Sequence, residues 1–164
     1  MERNLVLIRH TKSDWGHAGL TDFERPLRAD RTDDAKRMSK KLKQLKLQPD
    51  LLICSPAKRT RQTAEYFCDA LSYNYSRLQL EMRLYESSAE DYLQVIREVN
   101  ADVHTLVLFG HNPSITHLAH YFLPKHAVEM PTTGVAWISF QSPDWDVHST
   151  TPLECKGFFT PKTI

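Results

Sequence analysis

The chain has 164 residues, enough for one domain with a real hydrophobic core. Apolar residues make up 41% and charged residues 25%, ordinary for a soluble globular protein, and no apolar run approaches the roughly 20 residues that span a bilayer. The formal net charge is +1, so no global field draws the chain to nucleic acid or to an anionic membrane.

Asn4–Arg9 reads as a buried strand: the aliphatic run is too short for a helix, and it ends on Arg9-His10. His10–Ala29 reads as a loop carrying Gly16, Gly19 and Pro26. At roughly 20 residues it is longer than a passive connection, which marks it as a functional segment. The spacing of Ala35, Met38, Leu42 and Leu45 predicts an amphipathic helix over Asp30–Leu47, stopped by Pro49. A second strand follows at Asp50–Cys54. Ser55-Pro56 then opens a helix running to about Leu71, with Ser55 as N-cap and Pro56 in the first position.

Leu78–Glu81 is a short third strand, and Glu90–Val99 is a helix capped by Ser87 or Ser88. Thr105–Phe109 is again a buried run. Gly110-His111-Asn112-Pro113 breaks it and starts another helix, with Asn112 as N-cap. Val135–Phe140 reads as a strand, and Leu153–Phe159 as an edge strand in the Pro-, Ser- and Thr-rich tail. The roles of Trp137, Trp145 and Phe158-Phe159 stay open between core, edge cover and interface.

The alternation of strands and helices predicts a single α/β domain over residues 1–164, with a mainly parallel sheet and helices on both faces. The aliphatic run after Met-Glu-Arg-Asn is too short for a signal peptide. Cys54, Cys68 and Cys155 are odd in number and lack a CxxC pattern. They read as reduced thiols of a cytoplasmic protein.

In such sheets ligands bind beyond the carboxyl ends of the strands. Arg9-His10, Ser55 and Gly110-His111 all follow strands and so point to one edge. Lys58, Arg59 and Arg61 lie on the helix after Ser55. Arg59 shares a face with Gln62, Thr63 and Tyr66, whereas Arg61 is placed for a surface pair with Glu65, so Arg59 is assigned to the pocket. Arginine forks and helix N-termini select a phosphoryl group. A histidine among arginines stays neutral, and a neutral imidazole is a nucleophile toward phosphorus. His117 and His120, near His111, are expected to face solvent or pack loosely rather than bind a metal.

These residues resemble the histidine phosphatase, or phosphoglycerate-mutase-like, superfamily. The resemblance rests on Arg9-His10-Thr11, on the run from Ser55 to Ala64, and on Gly110-His111, in order over roughly residues 4–140. It implies a phosphorylated nucleophile at His10, with Arg9, Arg59 and His111 binding the phosphoryl group, and no cofactor. The short chain looks most like the SixA-type branch, which removes phosphate from phosphohistidine on proteins. RHTKSDW, Glu24–Arg28, LYESSAEDY and HNPSI carry that likeness, with Trp15 and Pro26-Leu27 shaping the loop beside the site.

Thr11 replaces the usual glycine, and is expected either to narrow the pocket or to add a hydroxyl contact. Glu86 is the best candidate general acid and Glu81 the second, each against the simpler reading of a solvated charge. A mutase would need a longer lid to keep water from a phosphoenzyme. The leading expectation is a metal-independent phosphatase acting on phosphohistidine in a signalling or phosphotransfer protein. The alternative is a phosphatase of small metabolites or phosphoesters using Glu86, and a third reading is a module that binds phosphate without hydrolysing it. Neither nucleic acid nor membrane is an expected partner.

Overall fold

The computed structural model describes residues 1–16, 18–126 and 129–164. His17, within the predicted loop, and residues 127 and 128 lie outside the described residues. Strands β1 (Glu2–Arg9), β2 (Leu51–Cys54), β3 (Gln79–Leu80), β4 (Thr105–Gly110), β5 (Val135–Gln141) and β6 (Leu153–Phe159) form one sheet in the order β3-β2-β4-β1-β5-β6. β3, β2, β4 and β1 run parallel, whereas β5 and β6 are antiparallel additions beyond β1. The parallel part and the edge strand agree with the expectation from sequence.

The central strands are apolar without alternation because both faces of the sheet are covered. Leu5, Leu7, Leu106 and Leu108 pack on one face, with α3 (Ala89–Arg97) and α4 (Ser114–Phe122). Val6, Ile8, Val107 and Phe109 pack on the other, with α1 (Thr32–Gln44) and α2 (Lys58–Ala70). Trp145 is core, and its indole N–H donates to the Val103 carbonyl at 2.8 Å. Trp137 is half-buried and bonds Asn4. Cys54 and Cys68 are buried, Cys155 is half-buried, and all three are free thiols.

The starts of two helices differ in detail from the sequence reading, and a third decides between its two alternatives. Ser55 and Pro56 precede α2, whose N-cap position is Ala57, so Ser55 is not the cap. Asn112 does not cap α4 either. Its amide donates to the Met130 carbonyl and its side-chain oxygen accepts from Thr116, so a tertiary tie replaces the cap. Ser88, not Ser87, caps α3, in a capping box with Asp91.

Register does the rest. Arg9 lies opposite Gly110, and Cys54 opposite Phe109. The residues that follow, His10, His111 and Ser55, therefore emerge side by side at one sheet edge. Gly110 is required there because a Cβ would sit 2.6 Å from the Tyr92 ring. Tyr92 is buried; its hydroxyl accepts from the His111 N–H at 3.0 Å and donates to the Leu84 carbonyl at 2.7 Å. Gly110→Ala is expected to destabilise the fold by roughly 1–3 kcal/mol through overpacking. A lowered thermal midpoint checks this; an unchanged midpoint would show that Tyr92 can move at no cost.

Candidate active site

Arg9, His10, Arg59 and His111 come together around one cavity of about 250 Å³, which Lys12, Ser13, Trp15 and Arg25 also line. Lys58 is exposed on α2. The expected Arg61–Glu65 pair does not form among the described residues: Arg61 donates its Nε to the Pro56 carbonyl at 2.8 Å. His117 and His120 are exposed on α4, away from the cavity lining.

His10 leaves the end of β1 with its ring buried. Its Nδ1 lies 2.7 Å from the Thr11 carbonyl. A carbonyl oxygen only accepts, so Nδ1 carries the proton and Nε2 keeps its lone pair. Burial lowers the His10 pKa well below 6.5, and the neighbouring His111, Arg59 and Arg9 lower it further. The His111 ring centroid is 5.1 Å away. Its pKa is lowered to about 3, first by burial and then by Arg59 and Arg9, with Asp22 acting in the opposite direction.

The Ser55 hydroxyl lies 2.7 Å from His111 Nε2 and 3.4 Å from the Ala57 N–H, from which it accepts. Where the hydroxyl donates its proton to Nε2, His111 Nδ1 is the protonated nitrogen. Among the described residues, the buried side-chain nitrogens without a partner are Arg9 Nε, Arg59 Nε and His111 Nδ1. All three belong to residues lining the cavity. Native structures rarely leave buried donors unpaired, and a binding site for an oxyanion is one setting that retains them.

Thr11 settles neither into the cavity nor against it. Its N–H donates to Thr63 Oγ1 at 2.9 Å, and its hydroxyl lies 2.9 Å from that of Thr133. Thr63 in turn donates to the Arg59 carbonyl at 2.8 Å, so the three threonines tie the backbone beside His10 to α2 and to the turn before β5. Of the two expectations for Thr11, pocket narrowing gains no support, and its hydroxyl contact is internal.

The sequence reading missed Asp22, Arg25 and Tyr85. Asp22 sits in a short 3-10 turn, Asp22–Glu24, within the long loop. Its Oδ1 accepts from Arg25 Nε at 3.1 Å and from Arg25 Nη2 at 2.9 Å. Its Oδ2 accepts from Arg59 Nη2 at 3.1 Å and from the Tyr85 hydroxyl at 2.7 Å. Arg59 Nη1 also donates to the Asp22 carbonyl at 2.8 Å. Partial burial raises the Asp22 pKa, but hydrogen bonds from Tyr85 and Arg25 and the charge of Arg59 outweigh it and bring it to about 2. Tyr85 stands edge-on to His111 at 5.6 Å. The length of the loop was a signal for Asp22 and Arg25, and Arg25 also lay within the Glu24–Arg28 stretch.

Glu86 follows Tyr85 with a left-handed backbone, φ 49°, and is exposed; it does not line the cavity. Glu81 pairs with Arg83 at 2.8 Å and caps a short turn through the Arg83 N–H. Its carboxyl pKa is lowered, chiefly by that Arg83 hydrogen bond.

The two buried imidazoles make the fold acid-sensitive. Their folded pKa values lie below the ordinary 6.5, so the unfolded chain binds protons first as pH falls. Their share of stability is intact above about pH 6.5 and is lost progressively below it, down to about pH 3 for His111. Asp22, lowered from 3.8 to about 2, adds a further loss below about pH 3.8. The denaturant midpoint is expected to fall between pH 6.5 and 4, less steeply in His111→Gln. An identical slope in the variant would show that His111 is not buried neutral.

The structure shares its fold with a candidate phosphohistidine phosphatase SixA from Agrobacterium tumefaciens, at a TM-score of 0.80 and 24% identity, covering 97% of this chain and 98% of that one. It shares it also with a protein histidine phosphatase SixA complexed with tungstate, at a TM-score of 0.77 and 21% identity, covering 97% of each chain. An uncharacterised chloroplastic protein of Arabidopsis thaliana is 25% identical over 154 residues, spanning 89% of this chain and 70% of the relative. The sequence profile of the histidine phosphatase superfamily, branch 1, matches residues 5–104. On that match, the chain belongs to the histidine phosphatase superfamily.

Proposed function

We propose that this protein is a metal-independent phosphatase that hydrolyses phosphohistidine on a signalling or phosphotransfer protein. The observation that carries the reading is the neutral His10 ring, with Nδ1 bound to the Thr11 carbonyl and Nε2 free at a cavity lined by three guanidinium groups. In the first step the Nε2 lone pair attacks phosphorus and the P–N bond breaks, its electron pair going to the substrate ring, which carries a proton on its other nitrogen and departs as neutral imidazole. Arg9, Arg25 and Arg59 hold the phosphoryl oxygens and take up charge in the transition state. His111 Nδ1–H donates to a further oxygen. In the second step water attacks phosphorus, the bond to Nε2 breaks, phosphate departs and His10 returns to its neutral form.

The leaving group decides between phosphohistidine and an ester. An alkoxide needs a proton from the enzyme as it leaves, whereas a phosphohistidine ring already protonated on its other nitrogen leaves as neutral imidazole. Among the described residues no carboxyl group lines the cavity. Asp22, the nearest to the arginines, is held ionised with four hydrogen bonds on its two oxygens. Glu86 lies exposed beside Tyr85. This arrangement supports a P–N substrate over an ester that would depend on Glu86.

Turnover of phosphohistidine is expected to exceed that of p-nitrophenyl phosphate, to survive a chelator, and to vanish in His10→Ala. Ester hydrolysis as fast as phosphohistidine turnover, and lost in Glu86→Gln, would favour the ester phosphatase instead. Binding of phosphate with no turnover of either would leave the phosphate-recognition module. Asp22→Asn is expected to lower kcat about 10- to 100-fold by releasing Arg25 and Arg59 from position. Inorganic phosphate is expected to bind the variant more weakly as well, because Arg25 and Arg59 hold the anion. Unchanged kcat and phosphate affinity would show that Asp22 does not position the two guanidinium groups.

A further inference from the structure

Trp15 is 77% exposed, the most exposed large apolar side chain among the described residues, yet it lines the cavity that holds His10. Its ring is not loose. The guanidinium carbon of Arg25 lies 3.4 Å from the ring centroid, in stacking contact. Arg25 is itself pinned on every side: Nη1 donates to Ser13 Oγ at 2.6 Å, and Nε and Nη2 donate to Asp22. The backbone on both sides is tied as well, by the Asp14 N–H to the Pro26 carbonyl at 2.8 Å and by the bridge between Ser13 and Leu27. One face of the indole thus rests on a fixed cation, and its exposure leaves the other face open.

We propose that the open face of Trp15 is the platform on which the leaving imidazole of the substrate stacks, which makes Trp15 a specificity-determining residue for planar leaving groups. The proposal rests on the phosphohistidine reading given above. The chemistry suits a flat, polarisable ring: aromatic pairs gain from offset or edge contact beyond area burial alone. The indole is held before substrate arrives, so stacking fixes little new side-chain freedom. Arg25 joins the two halves of the substrate site. Its edge bonds Asp22 and Ser13 beside the phosphoryl cavity, while its face orients the indole.

Phosphoramidate has the same P–N bond with ammonia in place of the ring, and so separates stacking from phosphoryl recognition. The ratio of kcat/KM for a phosphohistidine peptide to that for phosphoramidate is the readout, measured for wild type, Trp15→Ala and Trp15→Phe. In Trp15→Ala the ratio is expected to fall about 5- to 10-fold, mainly through KM for the peptide, and Trp15→Phe should restore most of it. A ratio unchanged within about twofold would overturn the proposal, whether both activities fall together or neither does, and would leave Trp15 as cover for Arg25. Wild-type turnover of phosphoramidate without turnover of phosphohistidine would overturn the substrate reading itself.

Discussion

The Asp22 carboxylate joins guanidinium groups that like-charge repulsion would otherwise drive apart. Arg25 and Arg59 come from a loop and a helix, and both donate to the one carboxylate, as does Tyr85. Arg9 stands near enough to lower the pKa values of both histidines. Burial and surrounding positive charge keep both imidazoles neutral. The same crowding that attracts an oxyanion therefore leaves His10 with its lone pair at neutral pH. Asp22 partly offsets the charge without becoming a proton source, because its own bonds hold it ionised.

The positions of these groups follow from β-sheet register. The ends of β1, β2 and β4 are aligned because the three strands are parallel and hydrogen-bonded in step. No loop has to bring His10 and His111 together; they follow Arg9 and Gly110, which are partners in the ladder. Tyr92 then fixes the His111 backbone, and Ser55 its ring. Thr11, Thr63 and Thr133 anchor the other side. The side chains at the cavity are thus held by rigid elements, the arrangement that the proposed chemistry needs to proceed without reorganisation.

That division also explains what was legible in the sequence. Arg9, His10 and His111 could be placed because short aliphatic runs announce strands, and the residue after a parallel strand has a defined location. Arg59 followed from helical spacing against Arg61. Asp22, Arg25 and Tyr85 could not be placed, because they lie in irregular segments where no periodicity of 2 or 3.6 residues says which way a side chain points. Ser55 and Asn112 were misread as caps for a physical reason. A hydroxyl or amide before a helix has the composition of an N-cap, but here His111, Thr116 and the Met130 carbonyl compete for it and win. The proton on His10 was likewise hidden until the Thr11 carbonyl was seen beside Nδ1.

The central claim is that His10 Nε2 carries the phosphoryl group between two half-reactions. Rapid acid-free quenching during turnover, followed by mass spectrometry and ³¹P NMR of the intact protein, tests it most directly. The account predicts one added phosphoryl group, stable to alkali and labile to acid, on Nε2 of His10. Phosphate found on His111 or on a hydroxyl, or steady turnover with no phosphorylated protein at any time after mixing, would contradict it.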